Sequence, residues 1–83
     1  MSEWDPRTAV VSAIGQIAPD LEPEDLRDDA RLRQDLDLDS LDFLRLIEEL
    51  AVATGVEIPE RDYAKVTTVG ELVTYLDGRR SAV

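Results

Sequence analysis

The segment from Asp39 to Gly55 constrains the fold most strongly, because its apolar residues recur at helical spacing between a start and a stop signal. Asp39 or Ser40 opens the predicted helix, which runs to about Thr54, and Gly55 supplies the C-terminal stop. On a helical wheel, the apolar arc contains Phe43, Leu46, Ile47, Leu50 and Ala53, with Leu44 and Ala51 at its borders. The pattern predicts an amphipathic helix packed against a core.

A first helix is predicted near the N-terminus. Asp5 is a suitable N-cap and Pro6 suits the first helical position, while Pro19 ends the helix. The residues expected to be buried are Val10, Ile14 and Ile17, with Val11 and Ala18 as further candidates. This segment therefore supplies a second amphipathic helix.

Two helical segments are predicted towards the C-terminus. A short turn or helix is expected over residues 60–65, directly after Pro59. The last helix is expected to begin at Thr68, with Glu71 three residues later in a capping box, and to end at about Leu76, before Gly78. Residues 79–83 are expected to form a frayed tail.

A long connection separates the first two long helices, from Asp20 to about Asp39. A connection of this length indicates function or a hidden short helix. Its apolar anchors to the core are Leu21, Leu26, Leu32, Leu36 and Leu38. We therefore expect an all-α, four-helix bundle with three longer helices, one short third helix and a long loop between helices 1 and 2. Residues 1–83 are expected to form one domain, with an ordered core over about 5–78.

The residues that the chain lacks exclude most enzyme chemistry. With no cysteine and no histidine, the chain has no disulfide, thiolate ligand, imidazole base or catalytic triad, and no zinc site of the usual kinds. Carboxylate, lysine and hydroxyl chemistry remains. Paired carboxylates such as Asp39 and Asp42 are interpreted as helix-end and surface charge, because nothing in the sequence marks a pocket that would perturb them. We therefore assign no catalytic or metal-binding residue.

The chain is strongly acidic, with a formal net charge of −10. Residues 20–49 contain twelve acids against four arginines, so most of the excess lies in that stretch. Such charge opposes binding to nucleic acid or an anionic membrane surface, although it also keeps a small protein in solution. The acidic N-terminus has no secretory signal pattern and no apolar run is long enough to cross a bilayer. We expect a cytoplasmic monomer with basic protein partners.

Two neighbouring residues depart from the helical pattern. Leu41 lies among the charged residues on the polar side of the predicted second helix, where it is expected to be exposed. Ser40 suits a helix cap, but Asp39 suits the same position. If Asp39 is the cap, the Ser40 hydroxyl projects into water, and a phosphodiester there would lie at the positive end of the helix dipole.

These residues carry a resemblance to a known family. Around Ser40 the sequence DLDLDSLDFLRLIEEL resembles the acyl carrier protein family at its Asp-Ser-Leu attachment motif. Further along, GVEIPERDYAKVTTVGELVTYLDG resembles the third and fourth helices of that family. The likeness covers roughly residues 5–78.

The resemblance implies a non-enzymatic carrier whose Ser40 bears 4′-phosphopantetheine, attached from coenzyme A by a phosphopantetheinyl transferase. The terminal thiol of that arm would hold acyl groups as thioesters. Other partners would be acyl-transfer, synthase or ligase enzymes with basic docking patches, in fatty-acid, polyketide or related biosynthesis. The partner-facing residues would be Asp39, Leu41, Asp42, Leu44 and Glu48. A cleft for the acyl chain would be lined by Phe43, Leu46, Ile47, Ile58, Tyr63 and Val66, although each of these also suits the plain core.

Some residues depart from the family pattern. Arg45 stands where an acid is usual and Arg61 weakens the acidity of the third helix, so partner choice is expected to differ from that of a housekeeping fatty-acid carrier. Leu38 and Asp39 precede Ser40 in place of the Gly-Gly-His-Ser motif of peptidyl carriers. That difference favours acyl or polyketide cargo, while an aminoacyl or peptidyl carrier stays as an alternative.

Two unrelated interpretations fit parts of the sequence. Asp35, Asp37 and Asp39 alternate like the first three ligands of a calcium-binding EF-hand loop, but Ser40 and Leu46 occupy the positions that need glycine and a bidentate glutamate. Weak divalent binding to this acidic loop stays open. The other alternative is an unmodified helical interaction module that keeps the fold without the arm.

Overall fold

A computed structural model describes residues 4–81 of the chain. Three α-helices form the frame, named here α1 (Pro6–Ile17), α2 (Ser40–Thr54) and α3 (Val69–Ser81). Two short 3-10 helices, Pro23–Asp25 and Glu60–Lys65, lie in the connections. The described residues contain no strand, so the predicted all-α bundle with a short third helix and a long first loop is confirmed.

Helix α1 begins as the sequence predicts. The Asp5 carboxylate accepts a hydrogen bond from the backbone N–H of Thr8 at 2.9 Å, and Pro6 occupies the first turn. The helix ends at Ile17, where the backbone N–H of Ala18 donates to the Ile14 carbonyl. Both predicted start signals therefore act, and the helix ends two residues before Pro19.

The buried face of α1 is narrower than predicted at its C-terminal end. Val10 and Ile14 are fully buried, as expected. The other three candidates, Ile17, Val11 and Ala18, pack against the core but are only partly buried. Two small residues, Ala9 and Ala13, are buried in their place.

The long loop packs onto the core through its leucines. Leu26, Leu32, Leu36 and Leu38 are buried, and Leu21 is partly buried. The hidden short helix expected in this loop is the 3-10 turn Pro23–Asp25. Leucine anchors of this kind fix the loop against the bundle, so that the segment leading into α2 has a defined path.

The long loop is also hydrogen-bonded to the start of α3. The backbone N–H of Val69 donates to Ala30 at 3.0 Å, and that of Gly70 donates to Asp28 at 2.9 Å. A β-carbon added at Gly70 would lie 2.9 Å from the Asp28 carbonyl oxygen. Glycine therefore permits this close approach of the two backbones.

Helix α2 matches the predicted bounds. Asp39 is its N-cap, and Gly55 closes it in the left-handed conformation with φ of 76°. Its buried residues are Leu46, Ile47 and Leu50, while Phe43 is partly buried. The prediction that Ala53 lies in the core is wrong. Ala53 is exposed because it borders an open cleft between α1 and α2.

Helix α3 begins with the predicted capping box. The Glu71 backbone N–H donates to the Thr68 hydroxyl at 3.1 Å, and the Thr68 N–H donates to the Glu71 carboxylate at 3.2 Å. The predicted end at about Leu76 is wrong, because the helix continues through Gly78 to Ser81. Arg79 donates to the Tyr75 hydroxyl at 2.7 Å and lies over the Tyr75 ring, which holds the added turn. Of the predicted frayed tail, residues 79–81 are helical and residues 82–83 lie outside the described residues.

A buried carboxylate joins the short third helix to α3. Asp62 is 7% exposed and accepts a hydrogen bond from the Tyr75 hydroxyl at 2.6 Å. Lys65 and Arg79 each approach it at 3.5 Å. The Tyr75 hydrogen bond, with the nearby Lys65 charge, lowers the pKa of Asp62 below its ordinary value. This contact fixes the short helix that carries Tyr63. No pattern in the sequence predicts the contact itself.

Candidate functional site

Ser40 occupies the first turn of α2 with its hydroxyl unused as a cap. The Asp39 carboxylate accepts the backbone N–H of Asp42 at 2.8 Å, and the Asp42 carboxylate accepts that of Asp39 at 3.4 Å. This reciprocal capping box satisfies the helix start without Ser40. The Ser40 side chain is exposed and forms no hydrogen bond to another described residue. Of the two caps that the sequence allows, Asp39 is the one that acts, and the exposed Ser40 hydroxyl is left accessible.

The chain reaches Ser40 through a turn that needs an unusual backbone conformation. Asp37 has φ of 61°, the left-handed region that most non-glycine residues avoid. Aspartate tolerates this region better than most residues do, because its short polar side chain bonds locally. The turn lies immediately before the helix start that presents Ser40.

An open groove runs beside Ser40. Its volume is about 840 Å³. Phe43 and Tyr63 form part of its wall, with their rings edge to face at a centroid distance of 5.1 Å. The residues that line it are Leu32, Arg33, Gln34, Asp37, Leu38, Asp39, Ser40, Phe43, Leu44, Tyr63, Ala64, Val66 and Thr67. The groove is thus bounded by the long loop, by α2 and by the short third helix.

The structure separates the six predicted cleft residues into two groups. Phe43, Tyr63 and Val66 line the groove that contains Ser40. The remaining three, Leu46, Ile47 and Ile58, are buried in the core and do not line it. Helical spacing alone does not separate these groups, because both contain apolar residues from the core-facing arc of α2.

The loop side of the groove is not predicted from the sequence. Leu32 and Leu38 were predicted as core anchors, and both also line the groove. The Leu38 N–H donates to the Leu32 carbonyl at 3.1 Å, which folds this part of the loop back on itself. The loop also contributes Arg33 and Gln34 to the wall. The one signal for Arg33 and Gln34 in the sequence is that they directly follow the buried Leu32.

The predicted partner-facing residues lie between the N-cap of α2 and its third turn, and most of them are exposed. Leu41 is 71% exposed and Leu44 is 44% exposed, so both leucines present apolar surface to solvent. Asp39 and Glu48 are also exposed, and Asp42 is partly buried. The predicted exposure of Leu41 is confirmed. An exposed leucine between carboxylates suits docking to a basic surface with a small apolar recess.

Two of the three alternating acids before α2, Asp35 and Asp39, serve the protein's own structure. Asp35 pairs with Arg31 through two side-chain hydrogen bonds of 3.1 Å each, which lower the pKa of Asp35. Asp39 caps α2. Among residues 4–81 no group of three or more acids is arranged to hold a metal ion.

A helix long and apolar enough to cross a membrane is absent from the described part of the chain.

Comparison with known proteins connects this geometry to a family. The sequence profile of the family described as "Phosphopantetheine attachment site" matches residues 8–76. A curated relative from Rubrobacter xylanophilus, named "Acyl carrier protein", is 37% identical over 79 residues, covering 92% of this chain and 98% of the relative. The chain belongs to the acyl carrier protein family.

Two further relatives with the same name support this assignment. The acyl carrier protein of Lactobacillus johnsonii is 42% identical over 53 residues, covering 64% of this chain and 66% of the relative. That of Rhodococcus erythropolis is 31% identical over 70 residues, covering 81% of this chain and 77% of the relative. The carrier is thus non-catalytic, and its role is to hold acyl groups for enzymes that act on them. Carrier proteins interact in general with synthases and transferases.

The cofactor of this family is covalent 4′-phosphopantetheine. The residues around Ser40 fit such a group, because the hydroxyl is exposed, the capping function belongs to Asp39 and an open groove lies alongside. The first backbone N–H groups of α2 have no partner within the helix and lie at its positive end, which suits a phosphodiester. When bound, the group supplies a terminal thiol for thioesters, the nucleophile that a chain without cysteine lacks.

Proposed function

We propose that Ser40 is the residue that bears 4′-phosphopantetheine. The observation that carries this proposal is the division of roles at the start of α2, where Asp39 caps the helix and the Ser40 hydroxyl stays exposed. In the loading step the Ser40 oxygen forms a bond to the phosphorus of coenzyme A that carries the pantetheine. The pyrophosphate bond breaks, adenosine bisphosphate leaves, and a base of the transferase takes the hydroxyl proton.

The docking surface for partners consists of Asp39, Leu41, Asp42, Leu44 and Glu48. Its supporting features are the exposed leucines and the surrounding carboxylates, in a chain whose net charge is −10. A phosphopantetheinyl transferase and the acyl-transfer, synthase or ligase enzymes would approach through basic patches. Opposite charge speeds such encounters without demanding tight binding, which suits a carrier that must leave each enzyme.

The groove beside Ser40 shelters the arm and the first part of its cargo. Phe43, Tyr63 and Val66 supply apolar wall, together with Leu32 and Leu38 from the loop. Leu46, Ile47 and Ile58 are left out of this proposal because they do not line the groove.

The cargo belongs to fatty-acid, polyketide or related biosynthesis, and the chain works as one carrier domain, monomeric and cytoplasmic. Its acidity supports protein partners over nucleic acid or anionic membranes. Leu38 and Asp39 before Ser40 support acyl or polyketide cargo over aminoacyl cargo.

Intact-mass spectrometry tests the attachment residue. The apo chain, Ser40→Ala and Ser12→Ala are each incubated with coenzyme A and a promiscuous phosphopantetheinyl transferase. Ser12 is the matched control, because it is an exposed serine on α1. The native chain and Ser12→Ala should gain one arm, and Ser40→Ala should gain none. Loading of Ser40→Ala would refute the assignment, whereas no loading of the native chain would favour an unmodified interaction module.

A further inference from the structure

Most cations of this acidic carrier are engaged by carboxylates. Arg7 pairs with Asp28, Arg27 with Asp29 and Arg31 with Asp35, while Lys65 and Arg79 share Asp62. Within residues 4–81, and leaving aside the side chain of residue 80, the cations that form no ion pair are Arg33, Arg45 and Arg61. An unpaired arginine in a chain with nineteen acids is available for an anion from outside the chain.

Arg33 differs from the other two unpaired arginines by its place. It lines the same groove as Ser40, whereas Arg45 and Arg61 do not line that groove. The hydrogen bond from the Leu38 N–H to the Leu32 carbonyl brings together the loop segments that lead to Ser40 and to Arg33. Arg33 is therefore part of the wall of the groove that Ser40 also lines.

The acids of the groove leave this arginine unpaired. Asp39 lines the groove, but its carboxylate accepts the Asp42 N–H as the cap of α2. Asp37 lines it as well and forms no ion pair with Arg33. A phosphodiester on Ser40 would place another negative charge near Asp39 and Asp42, and this repulsion needs an opposing cation. Arginine suits that task because its planar fork binds two phosphate oxygens at once.

We propose that Arg33 binds the phosphodiester that joins the arm to Ser40 and holds the first link of the arm along the groove. This inference rests on the proposed attachment at Ser40. Arg33 is thus a positioning residue, which offsets the repulsion from Asp39 and Asp42 and sets the direction in which the arm leaves the helix. The contact is exposed, so its strength is modest and falls with added salt.

The experiment compares apo and holo forms of the native chain, Arg33→Gln and Arg45→Gln. Arg45 is the matched control, because it is an exposed, unpaired arginine outside the groove. Intact mass confirms loading of each chain first. The measurements are the phosphorus NMR signal of the phosphodiester, the arginine Nε–H NMR signals, and the melting temperature of both forms.

In the native chain the Arg33 Nε–H signal should move on loading, and the phosphorus signal should differ in Arg33→Gln but not in Arg45→Gln. For each chain, the melting temperature of the holo form minus that of the apo form is compared. This difference should be about 2–5 °C lower in Arg33→Gln than in the native chain. An equal loss of melting temperature in apo and holo Arg33→Gln would overturn the proposal, because Arg33 would then act within the protein alone.

The remaining outcomes separate this inference from the proposed attachment. Failure of the native chain to gain mass would overturn both. Full loading with no effect at Arg33 would overturn the phosphate contact and leave the attachment at Ser40 standing. Loading from acetyl and malonyl coenzyme A tests the other anion available at the site. An effect seen only with malonyl cargo would assign Arg33 to the cargo carboxylate and refute the phosphodiester contact.

Discussion

The carboxylate of Asp39 accepts the backbone N–H of Asp42 at 2.8 Å, and the carboxylate of Asp42 accepts that of Asp39 at 3.4 Å. Asp39 therefore caps α2, and the hydroxyl of the neighbouring Ser40 is not used for capping. A serine that capped the helix would have its oxygen committed to a backbone N–H. The capping box therefore leaves the Ser40 oxygen available for the proposed attachment.

Replacement of Asp39 by alanine should destabilise the apo chain by about 1 kcal/mol, because the helix start loses its acceptor. Asp39→Ser should retain most of that stability, because serine also caps helices. Thermal unfolding followed by circular dichroism measures both variants, with a loss of about 4–8 °C expected for alanine. If the serine variant unfolds as early as the alanine variant, the stability comes from the charge of Asp39 and not from the cap.

Leu41→Ala should leave the melting temperature nearly unchanged, within about 0.5 kcal/mol, because the side chain is 71% exposed. The same variant should slow loading by a phosphopantetheinyl transferase, because the proposed docking surface loses its apolar contact. The rate of mass gain at limiting transferase measures this effect.

The matched control for Leu41 is Val52, which is 87% exposed on the same helix but about three turns further from Ser40. Val52→Ala should change neither the melting temperature nor the loading rate. Equal slowing by both variants would show that exposed apolar area on α2 acts without regard to position, which contradicts a docking surface centred on Leu41.

The sequence predicts those parts of the fold that depend on local signals. Caps at Asp5, Asp39 and Thr68 place the starts of the three long helices within one residue. Gly55 ends α2 because the chain there adopts the left-handed conformation. The fully buried leucines of α2 follow from helical spacing. In each case the deciding contact lies within about four residues along the chain.

Features that depend on contacts distant in sequence were not predictable. Gly78 resembles a helix stop, yet α3 passes through it, and Arg79 in the added turn lies 3.5 Å from the Asp62 carboxylate of the short third helix. Burial of Asp62 depends on Tyr75, thirteen residues away. The loop wall of the groove depends on the fold of the leucine-rich segment against α2 and the short third helix. The exposure of Ser40 and Leu41 was predictable, because it depends only on their positions in α2 and on the cap at its start.

Gly70→Ala should destabilise the chain by about 1–3 kcal/mol, because the added β-carbon meets the Asp28 backbone oxygen at 2.9 Å. The Asp28 backbone cannot change rotamer as a side chain can, so the loop must shift away from the start of α3. Gly15→Ala is the control, since a β-carbon there meets nothing within 4 Å and helix α1 favours alanine by about 0.5–1 kcal/mol. Urea unfolding measures the two variants, and a Gly70→Ala chain as stable as the native one would refute the steric argument.

The hydrogen bond from Tyr75 to Asp62 should make the effect of Tyr75→Phe depend on pH. Because this bond lowers the pKa of Asp62 in the folded chain, the unfolded chain takes up the proton first as pH falls. The stabilisation is fully present above the unfolded pKa of about 3.9 and is lost as pH falls through the lower, folded pKa. The stability difference between the native chain and Tyr75→Phe should therefore be largest near neutral pH and shrink in acid.

Urea unfolding at several pH values from neutral to about 3 measures that difference. Other acids with lowered pKa values, such as Asp35 and Glu71, are present in both chains and cancel in the comparison. Tyr63→Phe is the control, because the Tyr63 hydroxyl has no carboxylate partner among the described residues. Its effect on stability should not vary with pH. A Tyr75→Phe effect that stays constant from neutral pH into acid would mean that the phenol stabilises the fold without acting through the charge of Asp62.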